Sequence, residues 1–586
     1  MIEENQIQVG IMHKFDEMRQ SFVKQKITIF LLLSPLFFLC SLFIGSTKSW
    51  SLIWIQLYVI VGLLLIFSSK TSKINFPPTV YCLLYIILFF YRLICDSYHF
   101  EEITRRLTLL FLFLLLYWYW NNKKDKYQLF YLIVIIGFVL SLWGISQFVL
   151  KAIMQYRYNS ITGPFNNPAG ISAAISAIYP LSLFLQNKRK NLFFIIVPYV
   201  MFITVLLSAA RSGILSVITI TIIYVLFKKT KTPTKAIHYF LTICACFGIA
   251  IGLYFIKVES ADGRLLIWIC SLNLVKQSPF LGLGKNGFMS HYMPVQAEYF
   301  IQNPDSIFRQ LADNVRSPFN EYISHVVSYG SIGFLLSILL VILPVLWSKN
   351  DCSQETKFVR LGVLSLAICA LFSYPMHYYF NQILAIIFIS YLLHKCDKKI
   401  YLFFNIASKI GMIIISILIL MTTINQIKDE SKWQFLCKRI NFENSQEIII
   451  DYENLYYNSH LKRDGYFLYD YALILNEVGK YEQSNEILLD CCDYKNDTDV
   501  QLLFGDNFEK MNRVIYSEKH FYMASKMVPS KFFPLYRLVK LYENNNRIEE
   551  ALNMANLILN KDIKIESSKI DIIKEEMRIM LDKYNN

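Results

Sequence analysis

The stretch NLFFIIVPYVMFITVLLSAARSGILSVITITIIYVLF, residues 191–227, is two apolar runs joined at Ser208-Ala209-Ala210-Arg211-Ser212-Gly213. Each run approaches the ~20 mostly apolar residues that a helix needs to cross a bilayer. One arginine stands at their junction, and no Asp or Glu occurs anywhere between residues 191 and 229. An ionisable group at a helix–helix turn in a membrane protein must reach water, a headgroup or a bound anion. The planar fork of a guanidinium matches phosphate bidentately, so Arg211 is a candidate anion clamp. The plainer reading is an arginine snorkelling at the interface.

The same apolar character runs through most of the 586 residues: 55% are hydrophobic, 16% aromatic and only 17% charged. That balance points to the bilayer. The net charge of +14 does not indicate a nucleic-acid partner, because the basic residues fall in short clusters between apolar runs. The polar first 26 residues followed by a long apolar run argue against a cleavable signal peptide. The twelve cysteines show no metal-binding or disulfide spacing; Cys40, Cys82, Cys95, Cys244, Cys246, Cys369 and Cys396 lie in or beside apolar runs, and Cys491-Cys492 is a vicinal pair.

Thirteen runs are candidate crossings: 27–45, 51–68, 79–96, 106–120, 128–150, 168–186, 191–209, 213–227, 238–256, 324–347, 358–373, 380–394 and 401–422. Alternate connectors (1–26, 69–78, 121–127, 187–190, 228–237, 348–357 and 395–400) each carry two to four Lys or Arg. Positive loops stay in the cytoplasm. The N-terminus is therefore expected inside, with Arg211, the long loop 257–323 and the C-terminal tail outside. The expected fold is all-α: a polytopic bundle of about 12–13 transmembrane helices. Its expected parts are a cytoplasmic segment 1–26, a membrane domain 27–423 that includes the extracytoplasmic loop 257–323, and a soluble helical domain 424–586.

Within the loop, Arg264 to Val275 reads as an amphipathic helix with Leu265, Leu266, Trp268, Ile269 and Leu272 on one side. The following turn, Pro279-Phe280-Leu281-Gly282-Leu283-Gly284-Lys285, lacks the Ser or Thr of a nucleotide-binding loop and reads as a tight packing element. In the tail, Gly479-Lys480-Tyr481, Asn512-Arg513-Val514 and Asn546-Arg547-Ile548 recur at offsets of 33 and 34 residues, each between helical patterns. This resembles degenerate tetratricopeptide repeats, whose stacked helix pairs commonly form a surface for a protein partner.

Four pieces fall on the outer side. They are Thr162 to Gly170, Ser208 to Gly213, Gly263 to Trp268 with the turn Pro279 to Gly287, and Ser317-Pro318-Phe319-Asn320-Glu321-Tyr322 followed by Tyr329-Gly330 and Gly333. In this order and on this layout, the region 100–395 resembles the O-antigen ligase and polymerase family, which includes bacterial O-linked oligosaccharyltransferases. The resemblance implies a metal- and cofactor-independent enzyme of the bacterial inner membrane. Such an enzyme moves a glycan from an undecaprenyl-type polyprenyl-diphosphate carrier to an acceptor hydroxyl, as in lipopolysaccharide assembly. The acceptor is a lipid A core sugar, another glycan or a protein, and membrane lipids surround the site. Arg211 and Arg264 would hold the diphosphate, where fixed cations stabilise developing charge. Arg316, Asn166 and Asn167 are candidate contacts to acceptor or donor. Family members commonly carry a histidine before the Asn-Glu pair as the acceptor's base. Here that position is Phe319, which leaves Glu321, with Asn320, as the substitute and His325, one helical turn on, as the runner-up. His291 and His377 are also expected outside. The rival of another class is a transporter of the lipid-linked glycan, against which stands the lack of visible symmetry between halves.

Overall fold

The computed structural model describes residues 48–67, 73–96, 100–122, 127–154, 161–165, 167–189, 191–229, 248, 251–252, 254–255, 257–396, 400–403, 406–439 and 445–585. Apart from a two-stranded antiparallel ladder, β1 (Lys73–Phe76) with β2 (Ile400–Phe403), the regular structure is helical. Eleven of the thirteen apolar runs coincide with helices. The run 27–45, and most of 238–256, lie outside the described residues. Among the described residues, five helices are long and apolar enough to cross a membrane by length and composition, and five shorter apolar helices accompany them. The chain forms two compact units: 1–93, 98–251 and 335–427 make the first, and 94–97, 252–334 and 428–586 the second.

The first unit is built from α1 (Lys48–Phe67), α2 (Thr79–Cys95), α3 (Phe100–Asn122), α4 (Tyr127–Met154), α5 (Pro168–Lys188), α6 (Leu192–Leu207) and α7 (Arg211–Lys229). Parts of α10 (Glu321–Trp347) and α13 (Ile406–Arg439), with α11 (Gln354–Phe372) and α12 (Tyr379–His394), complete it. Helix α5 is buried from Gly170 to Leu185. Its small residues, Ser172, Ala173, Ala174, Ser176 and Ala177, let neighbours approach closely, as membrane helix interfaces require. The contact with α7 is close: a Cβ on Gly213 would lie 1.6 Å from Ser172 Oγ. Ser216 and Ser365 share a hydrogen bond of 2.8 Å that joins α7 to α11. Trp120 anchors the far side of this unit, edge-on to Tyr391 at 5.0 Å and donating its indole N–H to Ser390 Oγ at 3.1 Å.

The second unit joins the loop to the tail. It holds α8 (Val258–Gln277), α9 (Gly287–Gln302), the start of α10, and the C-terminal helices α14 (Ser445–Asn458), α15 (Gly465–Glu477), α16 (Tyr481–Cys492), α17 (Thr498–Lys510), α18 (Val514–Met527), α19 (Phe533–Asn544), α20 (Ile548–Leu559) and α21 (Ser568–Asn585). Helix pairs α15–α16, α17–α18 and α19–α20 turn in the same way. Gly479, Asn512 and Asn546 take left-handed φ values of 81°, 56° and 58°. Each is followed by an amide that reaches back five residues: Lys480 N to Leu475 O, Arg513 N to Phe508 O and Arg547 N to Tyr542 O, at 2.8, 2.8 and 2.9 Å. That is the helix-terminating bond a left-handed residue permits. The period read in the sequence is thus a repeated helix stop. Small residues recur at the same spacing, Ser484, Ser517 and Ala551, all fully buried where the two helices of a pair touch.

One expectation is corrected. Helix α8 buries Leu266, Ile267, Cys270, Ser271 and Leu274, whereas Leu265 and Leu272 are exposed. The helix carries apolar residues on two sides, and α9 packs on the 266–270–274 side, so the amphipathic pattern alone did not select the inner face. The glycine turn after α8 does pack tightly. Leu283 N and Gly284 N donate to Val327 O and Ser328 O, and Ser331 N donates to Pro279 O, at 2.8–2.9 Å. These bonds stand in for the helical ones that α10 gives up at Gly330, where φ is 60° and ψ −171°.

Candidate active site

Two groups of side chains carry the residues singled out in the sequence, one in each unit. In the first unit, Asn167 caps α5: its Oδ1 accepts the Gly170 amide at 2.9 Å and its Nδ2 donates to Tyr374 Oη at 2.6 Å. Tyr374 lies in the turn between α11 and α12, with His377 edge-on to it at 5.7 Å. Arg211 opens α7 after Ala209, whose φ of 52° makes the turn from α6. Ser208 supports that turn by accepting the Ala210 amide at 3.3 Å. Because α5, α6 and α7 are joined by short connectors, the starts of α5 and α7 lie at the same end of this unit. Arg211 is half-buried there. Asn166 lies outside the described residues.

In the second unit, the sequence Pro318-Phe319-Asn320-Glu321 is the start of α10. Phe319 adopts a left-handed φ of 51° and so turns the chain. Asn320 is then the N-cap, its Oδ1 accepting the amides of Tyr322 and Ile323 at 2.9 and 3.1 Å. Glu321 is the first helical residue, half-buried. Helix α8 presents two side chains, one turn apart, to this start. Trp268 Nε1 donates to Pro318 O at 2.9 Å, and the Arg264 guanidinium lies 5.5 Å from the centre of the Phe319 ring. A cation on an aromatic face is held without losing its charge. Position 319, where the family resemblance led to the expectation of a histidine, therefore holds a ring under an arginine. The structure brings Arg264, Phe319, Asn320 and Glu321 together, with His325 one turn further along α10. Arg316 is exposed nearby in sequence and sits over Tyr466 at 5.0 Å. His291 is turned to its own helix, Nδ1 lying 2.6 Å from Ser290 Oγ and 3.1 Å from Gly287 O.

Sequence reasoning missed Asp96. Its carboxyl, 3% exposed, accepts the Lys285 amide at 3.0 Å and the Tyr329 hydroxyl at 3.3 Å. Glu321, His325 and Tyr329 follow one another along one face of α10 at helical spacing, and the His325 and Tyr329 rings are 5.9 Å apart. The signal was available, because an acid directly after an apolar run is costly unless it is paired. Trp268 was read only as an apolar residue; its indole N–H is the part the site uses. Among the described residues, no three His, Cys, Asp or Glu side chains converge to hold a metal ion.

Residues 171–338 match the family model described as O-antigen ligase. The match begins in α5 and ends in α10, and it takes in Arg211, Arg264, Glu321 and His325. The chain is also 22% identical over 425 residues to the ComP-specific O-oligosaccharyltransferase of Acinetobacter baylyi, covering 66% of this chain and 75% of that protein. A multi-pass helical membrane unit and a match that spans both groups of side chains agree with each other. Over residues 171–338 and along the stretch shared with that relative, the chain is similar to O-antigen ligase-like membrane proteins.

Proposed function

We propose that this protein moves a glycan from a polyprenyl-diphosphate carrier to an acceptor hydroxyl at the outer face of the bacterial cytoplasmic membrane. The acceptor oxygen attacks the anomeric carbon of the glycan. The bond from that carbon to the diphosphate oxygen breaks, and the departing oxygen keeps the electron pair. The acceptor proton passes to the Glu321 carboxylate, with Asn320 fixing the helix start that carries it. Arg264 offsets the charge that develops on the diphosphate, the term that usually dominates such catalysis. Arg211 is a second diphosphate ligand on separate grounds, since a guanidinium on the first residue of a helix adds its charge to the positive end of the helix dipole. His325 is the alternative base.

The observation that carries this reading is the meeting of α8 with the start of α10. The Trp268–Pro318 bond and the Arg264–Phe319 contact put a cation on the very turn from which Glu321 projects. That the loop and the tail lie on one side has its own support, and the Lys/Arg alternation makes that side the outer one. The loop helices and the tail share one core, in which Tyr292, Met293 and Phe300 pack with Met527 and Val528. They must therefore lie in one aqueous compartment. Four helices, α10 to α13, intervene, and four crossings return a chain to the side it left. Reporter fusions at residues 230 and 500 should then read opposite sides; the same side for both would remove the outward tail.

An acceptor in lipopolysaccharide or surface polysaccharide is the first reading, from the family description. A protein hydroxyl is the second, favoured by the relative whose name is that of an O-oligosaccharyltransferase. Deleting the gene and resolving lipopolysaccharide, capsule and glycoproteins on gels separates them. Collapse of one ladder names the acceptor, and three unchanged ladders would count against glycan transfer.

A further inference from the structure

Between α9 and α10 the chain has no regular structure from Ala312 to Asn320, yet nearly every residue is fastened. Ala312 O accepts Lys564 Nζ at 3.2 Å. Asp313 O accepts Gln296 Nε2 at 3.3 Å, and the same nitrogen donates to Met527 O at 2.6 Å. Asn314 Oδ1 accepts Thr498 Oγ1 at 2.7 Å. Arg316 lies over the Tyr466 ring at 5.0 Å. Pro318 and Phe319 are held by Trp268 and Arg264. Residues 314 and 316 are thus tied to the C-terminal helices, 312 to the connector between α20 and α21, and 318 and 319 to α8. The next two residues are Asn320 and Glu321.

The grip of Tyr466 is itself prepared. Asp464 caps α15 by accepting the Tyr466 and Phe467 amides at 2.8 and 3.2 Å, which fixes the backbone that carries the ring. Lys495 stands 5.6 Å from the same ring and is held by Asp497 at 3.0 Å. A backbone bond, Asn496 N to Met289 O at 3.1 Å, pins that turn to α9. A strap with neither helix nor ladder bonds takes its position from such contacts, because nothing in its own backbone fixes it.

We infer that the C-terminal helical domain is a working part of the transfer site: Tyr466 and Thr498 are positioning residues that hold the 312–320 strap and, through it, aim Glu321. The inference rests on the proposed role of Glu321. A strap released by even ~1 Å would cost a reaction that depends on alignment about 100-fold in the extreme case.

The test uses the full-length protein in detergent, with two readouts: transfer kinetics, and hydrogen exchange of the peptide covering 312–323. Tyr466→Leu should lower kcat about 10-fold with donor KM unchanged, and should raise exchange at Tyr322 and Ile323 several-fold. Tyr466→Phe should keep both parental values, because a cation over a ring needs the ring and not the hydroxyl. Thr498→Val should loosen the same peptide, and Tyr466→Leu combined with Arg316→Ala should be no slower than the worse single variant. Ala555→Gly, a lesion in the same domain away from the strap, controls for general loosening and should leave exchange at 312–323 alone. Unchanged exchange in Tyr466→Leu overturns the inference, as does equal loosening in Ala555→Gly. If Glu321→Gln is fully active while Tyr466→Leu still loosens the strap and slows transfer, the role given to Glu321 fails and the strap stands.

Discussion

Gly330 is the residue whose replacement should do most damage for its size. It breaks α10 with φ 60° and ψ −171°, a conformation essentially confined to glycine. A side chain there costs roughly 1–3 kcal/mol in backbone strain alone. A Cβ would also lie 2.1 Å from Phe280 O and 2.2 Å from Phe280 C. Both atoms are main chain, so no rotamer change relieves the overlap. The glycine turn would have to lift away, giving up the bonds Ser331 N–Pro279 O, Leu283 N–Val327 O and Gly284 N–Ser328 O. Each is worth about 0.5–1.5 kcal/mol net. Strain and two or three lost bonds together give Gly330→Ala a cost of about 3–5 kcal/mol, a large share of the ~5–15 kcal/mol that holds a typical domain folded. The assay is thermal unfolding of the purified protein in one detergent, followed by tryptophan fluorescence. Gly411→Ala is the control: a Cβ at that helical position meets nothing within 4 Å, and alanine is the better helix former by up to ~1 kcal/mol. It should be neutral or stabilising. If Gly330→Ala unfolds at the parental temperature, the packing of the glycine turn on the break in α10 is not what holds this region together.

Two further outcomes are expected. Arg211→Ala should abolish transfer while the protein still inserts and accumulates, and Arg211→Lys should rescue poorly because a point charge cannot reproduce the bidentate fork; parental activity in Arg211→Ala would return the residue to an interfacial role. His520 stacks on Phe504 and Phe508 at 4.7 and 5.4 Å, and burial pushes it down from its ordinary 6.5 to about 4. The unfolded chain then binds the proton more readily than the folded one, so the contribution of His520 is complete above pH ~6.5 and is lost as pH falls from there towards 4. His520→Phe should flatten that part of the pH dependence of unfolding, and an unchanged slope between pH 6.5 and 4 would show that the imidazole is not the group responsible.

The membrane helices were legible because apolar run length is a one-dimensional signal, but the start of α10 was not, since its apolar run begins at 324 while the cap is Asn320. The repeated stops at Gly479, Asn512 and Asn546 were legible for a related reason: a left-handed position restricts residue type, so it recurs visibly in sequence. The inner face of α8 was not, since Leu265 and Leu272 on one side and Leu266 and Leu274 on the other are equally apolar. Nor was the break in α10, because a glycine inside an apolar run has no local mark separating a bend from a close approach. The strap contacts were hidden for a different reason. Asn314 and Thr498, or Arg316 and Tyr466, are far apart in the chain and meet only because α9 packs on α18, and a single sequence carries no record of that. Asp96 was overlooked because it was counted as the polar end of a crossing, when its burial beside Lys285 and Tyr329 is what distinguishes it.

The central claim is that the start of α10, held against α8, is where the acceptor loses its proton. The most direct measurement is the turnover of purified Glu321→Gln with a polyprenyl-diphosphate-linked glycan and its acceptor, with donor binding measured in parallel. A loss of about 100-fold or more, the usual scale for a positioned base, with donor binding largely kept, is the expected result. Parental turnover in Glu321→Gln would contradict the claim; if His325→Ala were then inactive, the role would pass one turn along the same helix.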